Sequence, residues 1–308
     1  MKTLILVAGF IFLTQALSAQ VSVSPADELV LATYAYASND RVANLQPLGD
    51  HLAAQLQQKV KVVSFPTVKA LNQAIQAGEV DLALPNTFGY LMLQADSTPV
   101  IVPLVALKIP AGVSSNYRSA IVAHRSVAID TIAALPRLAR DHSFMFVAPG
   151  STSGNLVPRL FLAGLGLAQP ESDFREVVYG KTHANTILQV KEGKADFGAC
   201  GSEEYDKLIA ADPGARQAIR LLWRSAEIPL GPVVCLRSLP VSLQQRVKAI
   251  LLTLQQDNPA AFAALCQGWT EAKHAQFYAS VTDADYDPVR RTSGSRQDLL
   301  RIVNQFVQ

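Results

Sequence analysis

The sequence predicts an α/β protein of two lobes, each built on a parallel or mixed sheet, and three observations carry that expectation. Apolar runs of strand character alternate with segments of helical period along nearly the whole chain. Two stretches, LNQAIQAGEVDLAL from Leu71 and ILQVKEGKADFGA from Ile187, repeat one pattern of helix, glycine, acidic residue and apolar strand. The length, 308 residues, suits about two domains of ordinary size.

The elements follow in order. LVLATYAYAS (29–38) reads as a strand running into small polar residues, and Leu45, Leu48, Leu52 and Leu56 share one helical face. VKVVSF is a strand, TVKALNQAIQAG a helix closed by Gly78, and VDLALPN a strand. A short helix around Tyr90 leads to the strand VIVPLVAL. The second series opens with the strand YRSAIVAH and the helix TIAALPRLAR, which Pro136 bends or stops. It continues as SFMFVAP (strand), a helix, REVVYG (strand), HANTILQVKEG (helix), ADFGAC (strand) and EEYDKLIA (helix). IRLLWRS and GPVVCLRS are late strands. From SLQQRVKAILLTLQQD onward the chain is expected to be helical until DADYDPVRRTSGS, with a closing helix after it.

The first twenty residues, MKTLILVAGFIFLTQALSAQ, have the form of a secretory signal peptide. Lys2 gives the positive start, 4–13 the apolar core, and Ala16, Ser18 and Ala19 a small-residue cleavage site. No cysteine follows that core to take a lipid anchor, and no other run approaches membrane-span length. The mature chain is expected to be soluble, extracytoplasmic and monomeric. A net charge of +2 with mixed signs and no basic block argues against nucleic acid as a partner. Cys200, Cys235 and Cys266 lie in apolar surroundings without metal-ligand spacing, so they read as small hydrophobes, and no metal or cofactor is expected.

In open α/β sheets ligands collect beyond the carboxyl ends of the strands. Five loops stand there: YASND, LPNTFGY, APGSTSGN, YGKTHAN and ACGSEE. In APGSTSGN, Ser151, Thr152 and Ser153 sit at a helix start, where hydroxyls, unpaired N–H groups and the positive dipole end suit an oxyanion. A plain N-cap needs only one of these hydroxyls. The stretch is neither a nucleophile elbow, whose centre would be Thr152, nor a P-loop, since Asn155 follows Gly154.

APGSTSGNLVPRLFL resembles the signature of phosphonate/phosphite-type ABC-transporter substrate-binding proteins, and the similarity extends to LQPLGDHLAAQL, VDLALPNTFGYLML, GKTHANTILQVKEGKADFGA and DADYDPVRR. The resemblance implies a type II periplasmic-binding-protein fold: a signal peptide at 1–19, lobe 1 at 20–113, lobe 2 at 114–224, and a return to lobe 1 with C-terminal helices at 225–308. Two hinge crossovers would lie near 109–118 and 222–232. It implies further that Ser151, Thr152 and Ser153 bind an anion, that Tyr90 and His183 match the family's ligand-contacting tyrosine and histidine, and that Ser38 adds a hydroxyl. Asn86 and Thr87 stand where the family has Gly-Pro, and Gly201 where it has an acidic residue. That last departure implies an uncharged pocket, unless Glu203 or Glu204 compensates rather than serving its helix dipole.

The function implied is capture of a phosphorus oxyanion (phosphonate, phosphite or phosphate-like) by hinge closure, for delivery to a membrane ABC permease. Two alternatives remain at this stage: a ligand sensor signalling to a membrane receptor, and an exported hydrolase pairing Ser153 with His183.

Overall fold

A computed structural model describes residues 28–37, 39–95, 98–110, 112–113, 117–293 and 296–307. The signal peptide expected at 1–19 and the expected ligand contact Ser38 lie outside these residues. The eleven strands are β1 (Glu28–Tyr34), β2 (Lys59–Phe65), β3 (Leu82–Ala83), β4 (Ile101–Lys108), β5 (Ser119–His124), β6 (Ser143–Phe146), β7 (Glu176–Tyr179), β8 (Phe197–Gly201), β9 (Ile219–Arg224), β10 (Pro232–Leu236) and β11 (Phe277–Ser280). They form a six-stranded sheet ordered β11-β4-β10-β3-β1-β2 and a five-stranded sheet ordered β7-β6-β8-β5-β9. The chain passes between the sheets twice, after β4 and after β9.

Both sheets are mixed. β2-β1-β3 and β7-β6-β8 are parallel trios, while β4, β10 and β11 of the first sheet and β5 and β9 of the second join antiparallel. The two sequence repeats end in β3 and β8, which take the same place beside the first strand of each trio. Their likeness reaches single atoms. Asp81 accepts the Val30 N–H at 2.8 Å, and Asp196 accepts the Ser143 N–H at 2.8 Å. Gly78 and Gly193 end the preceding helices at φ 76° and 71°, a left-handed conformation that disfavours other residues.

Each face of each sheet is covered. Leu45, Leu48 and Leu52 of the helix Arg41–Leu56 pack with Val247, Leu251 and Leu265 on one face of the first sheet. The other face meets Leu71, Ile75, Phe88 and Leu91, and this core continues into Leu156, Val157 and Leu160 of the second lobe. Phe144, Phe146, Phe174 and Phe197 fill one side of the second sheet, and Ile187, Val190 and Cys200 the other. All three cysteines are free and buried.

The C-terminal helix Arg296–Val307 touches both lobes. Leu299, Ile302 and Val303 are buried in the shared core. The Phe306 ring meets Phe88 edge-on at 5.7 Å, and the buried Arg159 guanidinium of the second lobe lies 5.2 Å from its centre.

Three local expectations need correction. The helical run after residue 241 is interrupted by β11, a four-residue edge strand held antiparallel to β4. VDLALPN yields only the two residues of β3, because the backbone turns aside to begin the helix Thr87–Gln94. TIAALPRLAR divides into short 3₁₀ and α turns around Pro136 instead of one helix.

Replacing Asp81 or Asp196 by Ala strands a strand N–H that had a charged acceptor. Each substitution should lower stability by about 1.5–3 kcal/mol in urea unfolding. Equal, near-zero effects would show that the two aspartates do not hold their trios.

Candidate functional site

A cleft of about 680 Å³ opens between the sheets. The first lobe supplies the end of β1 and Asn86, and the second supplies the loops after β6, β7 and β8. These are the carboxyl ends of the parallel trios, as the fold class requires.

The loop after β6 starts a helix whose first turn, Thr152–Leu156, is a π turn before regular α structure over Val157–Gly164. Ser151 caps it, its hydroxyl accepting the Gly154 N–H at 3.1 Å, while the Leu156 N–H closes the wide turn on the Ser151 carbonyl at 3.0 Å. The Thr152 hydroxyl accepts the Phe88 N–H of the other lobe at 3.0 Å. Asn86 crosses the same gap in the opposite sense, donating to the Gly150 carbonyl at 2.8 Å while its side-chain oxygen caps Gly89. Ser151 and Thr152 thus act as acceptors toward the protein and keep their hydroxyl protons to donate. Ser153 differs. It is 0% exposed and lines the cleft, and among the described residues its hydroxyl makes no well-formed hydrogen bond, although the Tyr117 phenol approaches it. A buried hydroxyl left so is costly unless something else meets it.

His183 begins the helix His183–Lys191 behind its cap, Thr182. Its Nδ1 accepts the Gly201 N–H at 2.8 Å, which assigns the ring proton to Nε2 and makes that atom a neutral donor. Burial lowers the imidazole pKa to about 4, with the Glu204 carboxylate opposing the shift. A side chain at Gly201 would start 3.6 Å from both His183 Nδ1 and the Ser153 hydroxyl, ordinary contact distances, so position 201 faces the same space. This geometry does not make a nucleophile–base couple. Nδ1 is committed to the backbone and Nε2 carries a proton, so the imidazole cannot take one from Ser153.

The structure therefore brings Ser151, Thr152, Ser153, His183, Asn86 and Gly201 together on the cleft wall. Tyr90 and Thr87 are not among its lining residues. Tyr90 is 0% exposed against Tyr286, and its hydroxyl donates to Asp283 at 2.8 Å. Thr87 donates to the Pro229 carbonyl of the return crossover. Both are absorbed in packing because the helix Thr87–Gln94 turns its Tyr90 face toward the C-terminal segments.

Sequence reading missed a second group on the wall: Tyr34, Tyr36, Arg41, Tyr117 and Glu271. Tyr34 and Tyr36 were legible as alternate residues at the end of β1. Arg41 and Glu271 carry no local signal, since their place depends on packing between distant segments. Arg41, 4% exposed, lies 4.3 Å from the centre of the Tyr34 ring and 4.7 Å from that of Trp269. Burial pushes the Tyr36 phenol up to about 12, and the His183 backbone N–H beside it pulls the other way. Glu203 and Glu204, left open in the sequence as compensation for Gly201, do line the cleft, together with Glu271.

Residues 31–286 match the family described as ABC transporter, phosphonate, periplasmic substrate-binding protein. The chain belongs to that family. It is 25% identical over 237 residues to the phosphonates-binding periplasmic protein of Escherichia coli K12, covering 75% of this chain and 69% of that one. It is 26% identical over 264 residues to a phosphate-import protein of Mycolicibacterium smegmatis, covering 82% and 80%. A Xanthomonas citri protein solved with ATP bound superposes with a TM-score of 0.72 at 18% identity, over 92% of this chain and 100% of that one. The two-sheet architecture with its crossovers is the type II periplasmic-binding-protein fold, and family membership makes the chain an extracytoplasmic binding protein, not an enzyme.

The neutral state of His183 has a consequence for stability. Its pKa is about 4 when folded against 6.5 when free, so the unfolded chain takes up the proton first as pH falls. The contribution is complete above pH 6.5 and is lost as pH drops toward 4, about 3 kcal/mol in all. Urea midpoints at pH 7.5 and 4.5 should fall further for the wild type than for His183→Asn, whose amide oxygen accepts the Gly201 N–H without titrating. Equal falls would place His183 in contact with water and unshifted.

Proposed function

We propose that the protein captures a phosphorus oxyanion between its lobes and presents the closed, loaded form to a membrane ABC permease. The observation that carries this reading is the Ser153 hydroxyl, buried on the cleft wall where the Tyr117 phenol approaches it, and placed at a helix start close to the neutral His183 imidazole. Ser151, Thr152, Ser153 and His183 offer four neutral donors, and the π turn adds unpaired backbone N–H groups. Such a set suits a tetrahedral oxyanion held without metal. Relatives named for binding phosphonates and importing phosphate support the same class of ligand.

Closure would be a hinge motion about the two crossovers between the sheets. Hydrogen bonds already span the lobes at Asn86–Gly150 and Phe88–Thr152. A ligand touching both sides adds its differential affinity for the closed arrangement, and the permease would read that arrangement.

A thermal-shift panel of phosphate, phosphite, methylphosphonate, larger organophosphonates and sulfate tests the reading. A ligand at 100 times its Kd adds about 2.7 kcal/mol of stability. A shift confined to phosphorus oxyanions is expected, and a flat panel would overturn the reading. With the ligand found, Ser153→Ala should weaken binding by about 1.5–3 kcal/mol in titration calorimetry. Unchanged affinity would remove the helix start from the site.

A further inference from the structure

We propose that Tyr117, in the first crossover between the lobes, is a further ligand-binding residue. Its phenol hydroxyl joins those of Thr152 and Ser153 in donating to the oxyanion, so that the hinge itself takes hold of the ligand. The inference rests on the phosphorus reading above and adds to that site a donor carried by the hinge.

The two crossovers are zipped together where they pass each other. The Tyr117 carbonyl, in the first, accepts the Ile228 N–H of the second at 2.7 Å. Ser119, at the start of β5, exchanges a pair of bonds with Ser225 just beyond β9. Its N–H donates to the Ser225 hydroxyl at 2.9 Å, and its carbonyl accepts the Ser225 N–H at 2.9 Å. The Arg118 guanidinium adds a bond to the Ser225 carbonyl at 3.2 Å. Tyr117 stands inside this joint, lining both the main cleft and a small cavity of about 60 Å³ bounded by Lys108, Ile109 and Glu227–Leu230.

From the joint two contacts reach Ser153. The Ser119 hydroxyl, 0% exposed, donates to the Ser153 carbonyl at 2.6 Å. The Tyr117 phenol comes up beside the hydroxyls of both Ser153 and Thr152. The protons there do not balance. The Thr152 hydroxyl accepts the Phe88 N–H, and the Ser153 hydroxyl makes no well-formed bond. Among the described residues the phenol's hydrogen-bonding neighbours are those two hydroxyls alone. Two contacts use two of the three hydroxyl protons, and the third has no acceptor in any arrangement. An oxyanion has lone pairs enough to accept from all three at once. Burial raises the phenol's pKa and so keeps its proton in place for donation.

The side chain also spans the lobes. Its ring packs against the apolar core of the first sheet, while its hydroxyl stands at the helix start of the second lobe. The three hydroxyls therefore converge only when the lobes stand near the angle seen in the structure. A ligand bonded to all of them favours that angle by the worth of the added bond, which is the differential affinity that hinge closure requires.

Titration calorimetry on the mature chain with phosphate, phosphite and methylphosphonate tests the assignment. Tyr117→Phe keeps the ring and removes the donor, and should weaken whichever of them binds by about tenfold or more. The same substitution in a Ser153→Ala background separates a donor from a prop. A phenol bonded to the ligand still costs about tenfold there, whereas a phenol that only steadies the Ser153 hydroxyl costs nothing once that hydroxyl is gone. A loss that vanishes in that background, or wild-type affinity in Tyr117→Phe, overturns the proposal and leaves the phosphorus reading standing. Failure of the wild type to bind any of the three overturns both. Circular dichroism checks folding. Should a variant not fold, or the Ser153→Ala background bind too weakly to titrate, fluorine NMR of the otherwise unaltered chain with 3-fluorotyrosine in place of Tyr117 decides. Its resonance should shift when the ligand is added, and an unmoved resonance overturns the proposal.

Discussion

The lobes meet through two hydrogen bonds that run in opposite directions across one gap: Asn86 to the Gly150 carbonyl, and the Phe88 N–H to the Thr152 hydroxyl. Both join backbone to a side chain, so they fix where the main chains stand and not merely where two flexible groups happen to touch. The wide first turn of the helix at Thr152 stands at this contact, closed by its own bond from Leu156 N–H to the Ser151 carbonyl. Ser153 follows one residue further on, its hydroxyl 3.6 Å from where a side chain at position 201 would begin. The remaining walls of the cleft are arranged around a contact only a few ångströms long.

The chemistry that results is one of neutral donors. A hydroxyl that accepts from a backbone N–H has its proton left over, and an imidazole that accepts through Nδ1 has a proton at Nε2. In this way the fold's own hydrogen bonds orient the donors before a ligand arrives, which reduces the ordering cost of binding. Charged groups also line the cleft: Arg41, held against aromatic rings, with Lys69, Arg118, Lys181, Glu203, Glu204 and Glu271.

Much of this was legible in the chain because it is local. Period and punctuation place the trios, and the shared helix–glycine–strand pattern marks β3 and β8 as counterparts down to the roles of Asp81 and Asp196. The hydroxyl run and His183 sit at helix starts, where residue type and position together state what a side chain can do. Tyr90 misled because a tyrosine in a loop motif says nothing of which way its helix will turn. Arg41 and Glu271 lie 230 residues apart and became neighbours only through folding, so no window along the sequence contains them both. The edge strand β11 was hidden for a related reason: four residues hold too little period to outweigh the helices on either side.

The last helix has a bearing on how the cleft can move. Phe306 lines the cavity while resting on Phe88 of one lobe and Arg159 of the other. The wall is thus unfinished until the helix Arg296–Val307 has docked. The same ring acts as a stitch across the seam. The lobes cannot part at this side unless it lets go of one of them, so this helix takes part in deciding which lobe moves.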